Sequence, residues 1–62
     1  MSDKTNARAI QRATGCEFRT ALTTVRKLRS WARVEVTRDT TGKSQGQHIR
    51  EEGIRIISNG VK

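Results

Sequence analysis

The feature that most constrains the fold is a run of apolar residues spaced three and four apart in the first half of the chain. Its members are Phe18, Ala21, Leu22, Val25 and Leu28. At about 100° per residue these side chains fall within an arc of about 120°, so the run predicts a helix with one apolar face. Thr14 and Glu17 have the spacing of a capping box. We therefore expect a helix over residues 17–29.

A shorter apolar face precedes this helix. Ile10 and Ala13 lie on one side of a helical turn, and Thr5 is a suitable N-cap residue. Gly15 then supplies a C-terminal stop, because glycine adopts the left-handed conformation at little cost. The sequence predicts a helix over residues 5–14 and a tight turn before the second helix.

Beyond the second helix the spacing of the apolar residues changes to two. Polar residues alternate with Ala32, Val34 and Val36, and the alternation returns near the C-terminus at Ile54 and Ile56. Such alternation predicts half-buried strands, joined by a glycine-containing turn or by one long loop. The predicted strands cover approximately residues 31–38, 47–51 and 54–58. The expected fold class is α+β, with two helices followed by a two- or three-stranded antiparallel sheet in one domain over residues 1–62.

The charge of the chain limits its partners more than its fold. Thirteen Lys and Arg against six Asp and Glu give a net charge of +7, which attracts phosphate polymers or acidic protein surfaces. Most of these cations are Arg, whose planar guanidinium suits phosphate groups and guanine edges. The single cysteine cannot form an internal disulfide, and no apolar segment has the length of a signal peptide core or a membrane span. We expect a cytoplasmic protein with no membrane partner.

No set of residues predicts catalysis or metal binding. The one His and the one Cys are too few for a structural zinc site, and the segment around Gly42 lacks the spacing of a nucleotide-binding loop. We expect His48 as a half-exposed strand residue. Cys16 is expected to fill an apolar turn, with a reactive thiol as the less favoured alternative. The sequence therefore predicts no enzyme activity and no cofactor.

Two helices joined by a tight turn, the second longer and basic, are the parts of a helix-turn-helix. The chain resembles the winged helix-turn-helix family over most of its length. The matching parts are Ala9-Ile10 and Ala13-Thr14-Gly15 for the bracing helix and turn, Phe18 to Leu28 for the recognition helix, and Val34-Glu35-Val36 and Ile54-Arg55-Ile56 for the wing strands. The family's further helix before the bracing helix has no counterpart here. This departure leaves three alternatives: a reduced winged helix, a domain completed by dimerisation, or a different fold with the same local parts.

The resemblance implies two regions of contact with duplex DNA. The exposed face of the second helix would enter the major groove with Arg19, Thr20, Thr23, Thr24 and Lys27. The wing would contact DNA with Arg38, Lys43 and Gln45. Independently of the family, the cations Arg26, Arg29 and Arg33 near the helix end are expected to neutralise phosphates. The predicted function is a small DNA-binding regulator of transcription or an accessory protein of a phage or mobile element.

Three alternatives stay open at the level of sequence. Trp31 either closes the core or joins Arg33, Arg50 and Arg55 on a sheet face that binds RNA or single strands. The basic face could instead dock on an acidic protein partner. The segment around the Thr14-Gly15 turn also resembles the ubiquitin-associated-like helical module at the start of elongation factor Ts, which has a TG turn and a following Ala-Leu.

Overall fold

The chain forms three helices in a computed structural model, which describes residues 3–60. α1 covers Asp3–Thr14, α2 covers Phe18–Arg38 and α3 covers Gln45–Gly60. Each helix packs against the other two, and no strand occurs between residues 3 and 60. The prediction of an α+β fold with an antiparallel sheet is therefore wrong, and the architecture is all-helical.

The turn between α1 and α2 is held by backbone and hydroxyl hydrogen bonds. Gly15 has a φ of 74°, and its N–H donates to the carbonyl oxygen of Gln11 at 2.7 Å. The Thr14 hydroxyl donates to the Ile10 carbonyl oxygen at 2.8 Å and accepts from the Cys16 N–H at 3.3 Å. The predicted glycine stop is thus confirmed, whereas the Thr14 hydroxyl is used by α1 and not by a capping box at the start of α2.

α2 continues through residues 31–38, where apolar alternation predicts a strand. Ala32 is fully buried, one helical repeat after the buried Val25, so the apolar face of the helix extends along the same line. Val34 is 49% exposed. The buried Ala32 and the exposed Val34 stand two residues apart in the sequence. They give the appearance of a strand although the segment is helical.

α3 occupies the region of the other two predicted strands, residues 47–51 and 54–58. Ile49, Gly53 and Ile57 are buried at a spacing of four, which is the period of a helix. A Cβ on Gly53 would lie 2.5 Å from Cδ1 of Ile10. Glycine therefore permits the close approach of α1 and α3, and it does not make the turn that the sequence suggests.

The core lies where the three helices meet. Its buried apolar residues are Ala7, Ile10, Ala21, Val25, Ala32, Ile49 and Ile57. The partly buried residues packed against it are Cys16, Phe18, Leu22, Leu28 and Ile54. The apolar run predicted for the second helix is confirmed as its core-facing side. Cys16 lies half-buried at the edge of this core, which fits the expectation of a small apolar residue in the turn.

Candidate nucleic-acid interface

The outer side of α2, opposite the core, is a long polar face of the bundle. With 21 residues, α2 is the longest of the three helices, and it extends over about 30 Å. Its exposed residues from Arg19 onward include ten hydroxyl or cationic side chains, six up to Arg29 and four beyond it. They are Arg19, Thr20, Thr23, Arg26, Lys27 and Arg29, followed by Ser30, Arg33, Thr37 and Arg38.

These side chains form stripes along the helix. Residues seven apart lie nearly on one line, drifting by only about 20° per repeat. The hydroxyl stripe consists of Thr23, Ser30 and Thr37, and the arginine stripe beside it consists of Arg19, Arg26 and Arg33. Lys27 and Arg38 lie on the other flank of the hydroxyl stripe. A central line of short polar side chains is therefore bordered by cations on both sides.

The acidic side chains are distributed differently from these cations. Three of them form ion pairs away from the stripes: Asp3 with Arg29 at 3.4 Å, Glu51 with Lys43 at 2.9 Å, and Glu52 with Arg55. A fourth, Asp39, is hydrogen-bonded to the ring of His48 at 2.8 Å. Glu35, the acidic residue within α2, is half-buried, and helical geometry puts it outside the face that carries the stripes.

The flanking cations of α2 have no acidic partner among the residues that the structure describes. Within residues 3–60, no ion pair involves the arginine stripe, Lys27 or Arg38. The outer face of α2 therefore presents five positive charges that no acidic side chain in the described part of the chain neutralises.

Four of the five residues predicted to face the groove lie together on this side. Arg19, Thr20, Thr23 and Lys27 are all exposed. Thr24 is half-buried, its hydroxyl donates to the Thr20 carbonyl oxygen at 2.9 Å, and its methyl group lies toward α3. The sequence places Thr24 on the flank of the apolar face, where it would be exposed if no third helix packed there. In the structure α3 covers this flank.

Ser30 and Thr37 are the residues of the face that sequence reasoning missed. Both lie in α2 but beyond the predicted second helix: Ser30 falls between that helix and the predicted strand, and Thr37 falls within the predicted strand. The signal that could have revealed them is the seven-residue spacing of hydroxyl side chains that begins at Thr23.

The predicted wing is wrong, because the described residues contain helices and loops but no sheet. Arg38 is the last residue of α2. Lys43 lies in the loop between α2 and α3, where its ammonium group pairs with Glu51. Gln45 is the first residue of α3, and its side-chain amide donates to the carbonyl oxygen of Arg29 at 3.3 Å. The three residues thus belong to three different local environments.

The alternative binding surface on a sheet is wrong for the same reason. Arg33 lies on α2, whereas Arg50 and Arg55 lie on α3. Arg50 donates to the side-chain oxygen of the buried Asn6 at 2.8 Å. Trp31 is 37% exposed and packs edge-on against His48, with ring centroids 6.3 Å apart. It therefore lies at the border of the helix packing, neither in the core nor on a sheet.

The three arginines predicted to bind phosphate are brought together. Arg26, Arg29 and Arg33 line a cleft between α2 and the start of α3, together with Ser30 and Gln45. The cleft has a volume of about 280 Å³. A smaller neighbouring cavity of about 210 Å³ shares Arg29 and Gln45 with it and reaches Asp3. Of all the predicted site residues, these three arginines and Gln45 line one concave surface.

The loop that leads from α2 to α3 is organised by Asp39. Its carboxylate accepts hydrogen bonds from the Thr41 hydroxyl, from the Thr41 N–H at 2.8 Å and from the Lys43 N–H at 3.0 Å. The hydrogen bonds from Thr41, followed by those from His48 and the Lys43 N–H, hold the pKa of Asp39 well below its ordinary value. His48 is thus a helix residue that anchors the loop, and the strand position predicted for it is wrong.

Neither a metal site nor a membrane span is found in the described part of the chain. No group of three or more His, Cys, Asp or Glu side chains within residues 3–60 is arranged to hold a metal ion. None of the helices there has the length and apolar character needed to cross a membrane.

The fold and the site together define a three-helix domain whose longest helix exposes a cationic face. Comparisons with protein-family models, with curated proteins and with solved structures found no match to this chain. The proposal of a function therefore depends on the chemistry of that face.

Proposed function

We propose that the protein binds duplex DNA by laying the outer face of α2 in the major groove. The observation that carries this proposal is the separation of charge: the acids in the rest of the bundle are largely paired, while five cations on one helix face have no acidic partner within residues 3–60. A surface of this kind favours a polyanion, because the phosphates supply the negative charge that the fold does not.

The order of side chains across the face fits the groove of a duplex better than it fits a flat anionic surface. The major groove of B-form DNA is about 12 Å wide and admits one α-helix. The hydroxyl stripe of Thr23, Ser30 and Thr37 would point toward the floor of the groove, where short side chains reach base edges. The flanking cations would then face the two phosphate backbones, which contribute affinity and fix the register.

The rest of the bundle acts as support for α2 in this arrangement. α1 and the Gly15 turn brace one end of the helix, as the first helix does in a helix-turn-helix. α3 packs along the core-facing side and leaves the outer face open. A small regulator of transcription, or an accessory protein of a phage or mobile element, that acts on DNA in the cytoplasm is the role we infer. A two-fold dimer would double the contact area on DNA.

A protein partner with an acidic surface is the second candidate, and one observation favours it. Trp31 and Val34 are exposed at one helical turn's spacing, and Val34 stands seven residues after Lys27, so it lies on the cationic face itself. Exposed aromatic and aliphatic side chains beside cations are typical of protein interfaces. Binding to such a partner would bury Trp31 and would resist high salt, whereas binding to DNA would weaken steeply with salt.

Mapping of amide chemical shifts with a short duplex tests the proposal. We expect the largest changes along the outer face of α2, from Arg19 to Arg38, and small changes in α1. The test variant replaces both Arg19 and Lys27 by Gln and should bind the duplex more weakly. The matched control replaces the exposed Arg12 and Lys4 of α1 in the same way. Equal loss of affinity in the two variants, or shifts centred on α3, would contradict this mode of binding.

A further inference from the structure

We propose that the cleft between α2 and the start of α3 binds one phosphate group of the nucleic-acid backbone through Arg26, Arg29 and Arg33. This inference rests on the proposed function and deepens it by naming the point on the protein where the backbone is fixed. The three guanidinium groups line one concavity of about 280 Å³. The other exposed cations of α2, including Arg19 and Lys27, do not line it.

Helical spacing explains why three arginines share this cleft. Arg26, Arg29 and Arg33 stand three and four residues apart, so their side chains project from neighbouring points on one side of α2. Three like charges at this spacing repel one another. An anion placed among them removes that repulsion and accepts hydrogen bonds from planar donors that match phosphate oxygens in geometry.

Arg29 contacts both of the helices that flank α2. Its Nη1 lies 3.4 Å from Oδ2 of Asp3 on α1, and its carbonyl oxygen accepts from the side-chain amide of Gln45 on α3. The Arg29 side chain nevertheless remains 60% exposed. The distance to Asp3 is long for a charge-assisted hydrogen bond, so the guanidinium keeps donors for a second, more highly charged oxygen ligand.

Asp3 also gives the site a property that a simple basic patch lacks. Its carboxylate lines the neighbouring cavity and competes for the same guanidinium that a phosphate would use. Removing this negative charge should therefore strengthen phosphate binding, whereas removing Arg29 should weaken it.

A phosphate in the cleft would set the rotation of α2 about its own axis relative to DNA. The cleft lies on the arginine-stripe side of the hydroxyl stripe, because Arg26 and Arg33 belong to both the stripe and the cleft. With one backbone fixed there, the hydroxyl stripe turns toward the bases. Lys27 and Arg38 then face the opposite backbone, as the proposed function requires.

Titration with inorganic phosphate tests the cleft without DNA. The side-chain Nε–H signals of arginine are followed by heteronuclear NMR while phosphate replaces chloride at constant ionic strength. We expect saturable shifts at Arg26, Arg29 and Arg33. The variant R29Q should lower the phosphate affinity by about tenfold, as expected for the loss of a charged hydrogen-bonding group. The control R12Q should change it by less than about twofold, since exposed charges act weakly at a distance, and D3N should raise it.

Two results of this titration would overturn the proposal. One is a set of small, non-saturating shifts spread over all exposed arginines, which indicates general screening and no site. The other is an equal effect of R29Q and R12Q, because the two substitutions remove the same charge. Circular dichroism of each variant confirms that the helices are retained, so that a loss of binding reflects the cleft.

A second arm uses short duplexes with and without terminal phosphates. Equal shifts of the cleft arginines with both duplexes support an internal backbone phosphate. Shifts with the terminally phosphorylated duplex alone would contradict the backbone assignment and indicate a site for a phosphate monoester end. Duplex binding that leaves the cleft signals unchanged contradicts this inference but keeps the proposed function. Cleft binding of inorganic phosphate without any duplex binding contradicts the proposed function and the backbone assignment together.

Discussion

Nε2 of His48 lies 2.8 Å from Oδ2 of Asp39, so the first turn of α3 is tied to the residue that directly follows α2. The same carboxylate accepts from the backbone of Thr41 and Lys43, and the Asp39 side chain is only 8% exposed. This one side chain therefore fixes both the course of the loop and the point at which α3 starts. Because Gln45 begins α3, the contact also positions one wall of the arginine cleft.

The anchoring role of Asp39 predicts a loss of stability in acid. Hydrogen bonds from Thr41 lower the pKa of Asp39, those from Lys43 lower the pKa of Glu51, and those from Arg55 lower the pKa of Glu52. A carboxylate with a lowered pKa in the folded state contributes stability that is complete above its ordinary pKa, near pH 4, and is lost as the pH falls below that value. We expect the Tm to decrease steadily below about pH 4.5.

The variant D39N isolates the part of this effect that belongs to the loop. Asn retains one acceptor oxygen but presents an amide donor to the Lys43 N–H, so the Tm at neutral pH should fall by roughly 5 °C or more. Its Tm should also depend less on pH than that of the wild type. D3N is the matched control, because Asp3 meets the exposed Arg29 at 3.4 Å and should change the Tm less. A D39N Tm equal to that of the wild type would contradict the anchoring role.

Close packing at Gly53 predicts that an added methyl group destabilises the bundle. The methyl group of G53A would meet Cδ1 and Cγ1 of the fully buried Ile10 at 2.5 and 3.3 Å. Overpacking of this kind costs about 1 to 3 kcal/mol, partly offset by a gain of about 1 kcal/mol in helix propensity. We expect a net loss of about 1 kcal/mol in the free energy of unfolding, measured by urea titration.

Gly60 provides the control for this substitution. It also lies in α3, and a Cβ there would meet no atom within 4 Å among the described residues. G60A should therefore be neutral or slightly stabilising. If G53A and G60A unfold at the same urea concentration, Ile10 moves aside at no cost and the close approach of α1 and α3 is not a constraint.

The hydroxyl and cationic side chains of α2 predict a loss of DNA binding without a loss of folding. Thr23 and Lys27 are exposed, so the double variant T23A/K27A should keep the wild-type Tm within a few degrees. It should lose discrimination between a preferred and a scrambled duplex in competition binding, because base contacts in the groove carry specificity. The control T40A/K4A removes the same two residue types from exposed positions elsewhere. Specificity retained in T23A/K27A would contradict the groove-facing assignment.

The sequence predicts the first half of this fold better than the second half, for a physical reason. In α1 and the start of α2, the apolar residues stand at helical spacing and Gly15 adopts the positive φ that ends a helix. In the second half, the burial of side chains depends on tertiary contacts that a local pattern does not contain. Ile56 is 43% exposed and Val34 is exposed as well, so these two residues of the apparent alternation lie outside the core.

Gly53 shows why the sequence wrongly predicts two strands in the region of α3. A glycine between apolar residues usually indicates a turn, and the sequence carries no sign that a buried Ile10 from another helix occupies the space beside it. The same limit applies to the site. The cations on α2 could be placed from helical spacing, whereas their separation from the acids and the cleft beside Gln45 depend on how α3 folds back.

The salt dependence of duplex binding tests the central claim most directly. Fluorescence anisotropy of a labelled duplex gives the binding constant over a series of salt concentrations, and each phosphate contact contributes a slope of about −0.9 to its logarithmic plot. We predict measurable binding whose slope becomes shallower by about 2 in R26Q/R33Q, and by much less in the control R12Q/K4Q. Absence of duplex binding, or the same change of slope in both variants, would contradict the account that the outer face of α2 is the DNA-binding surface.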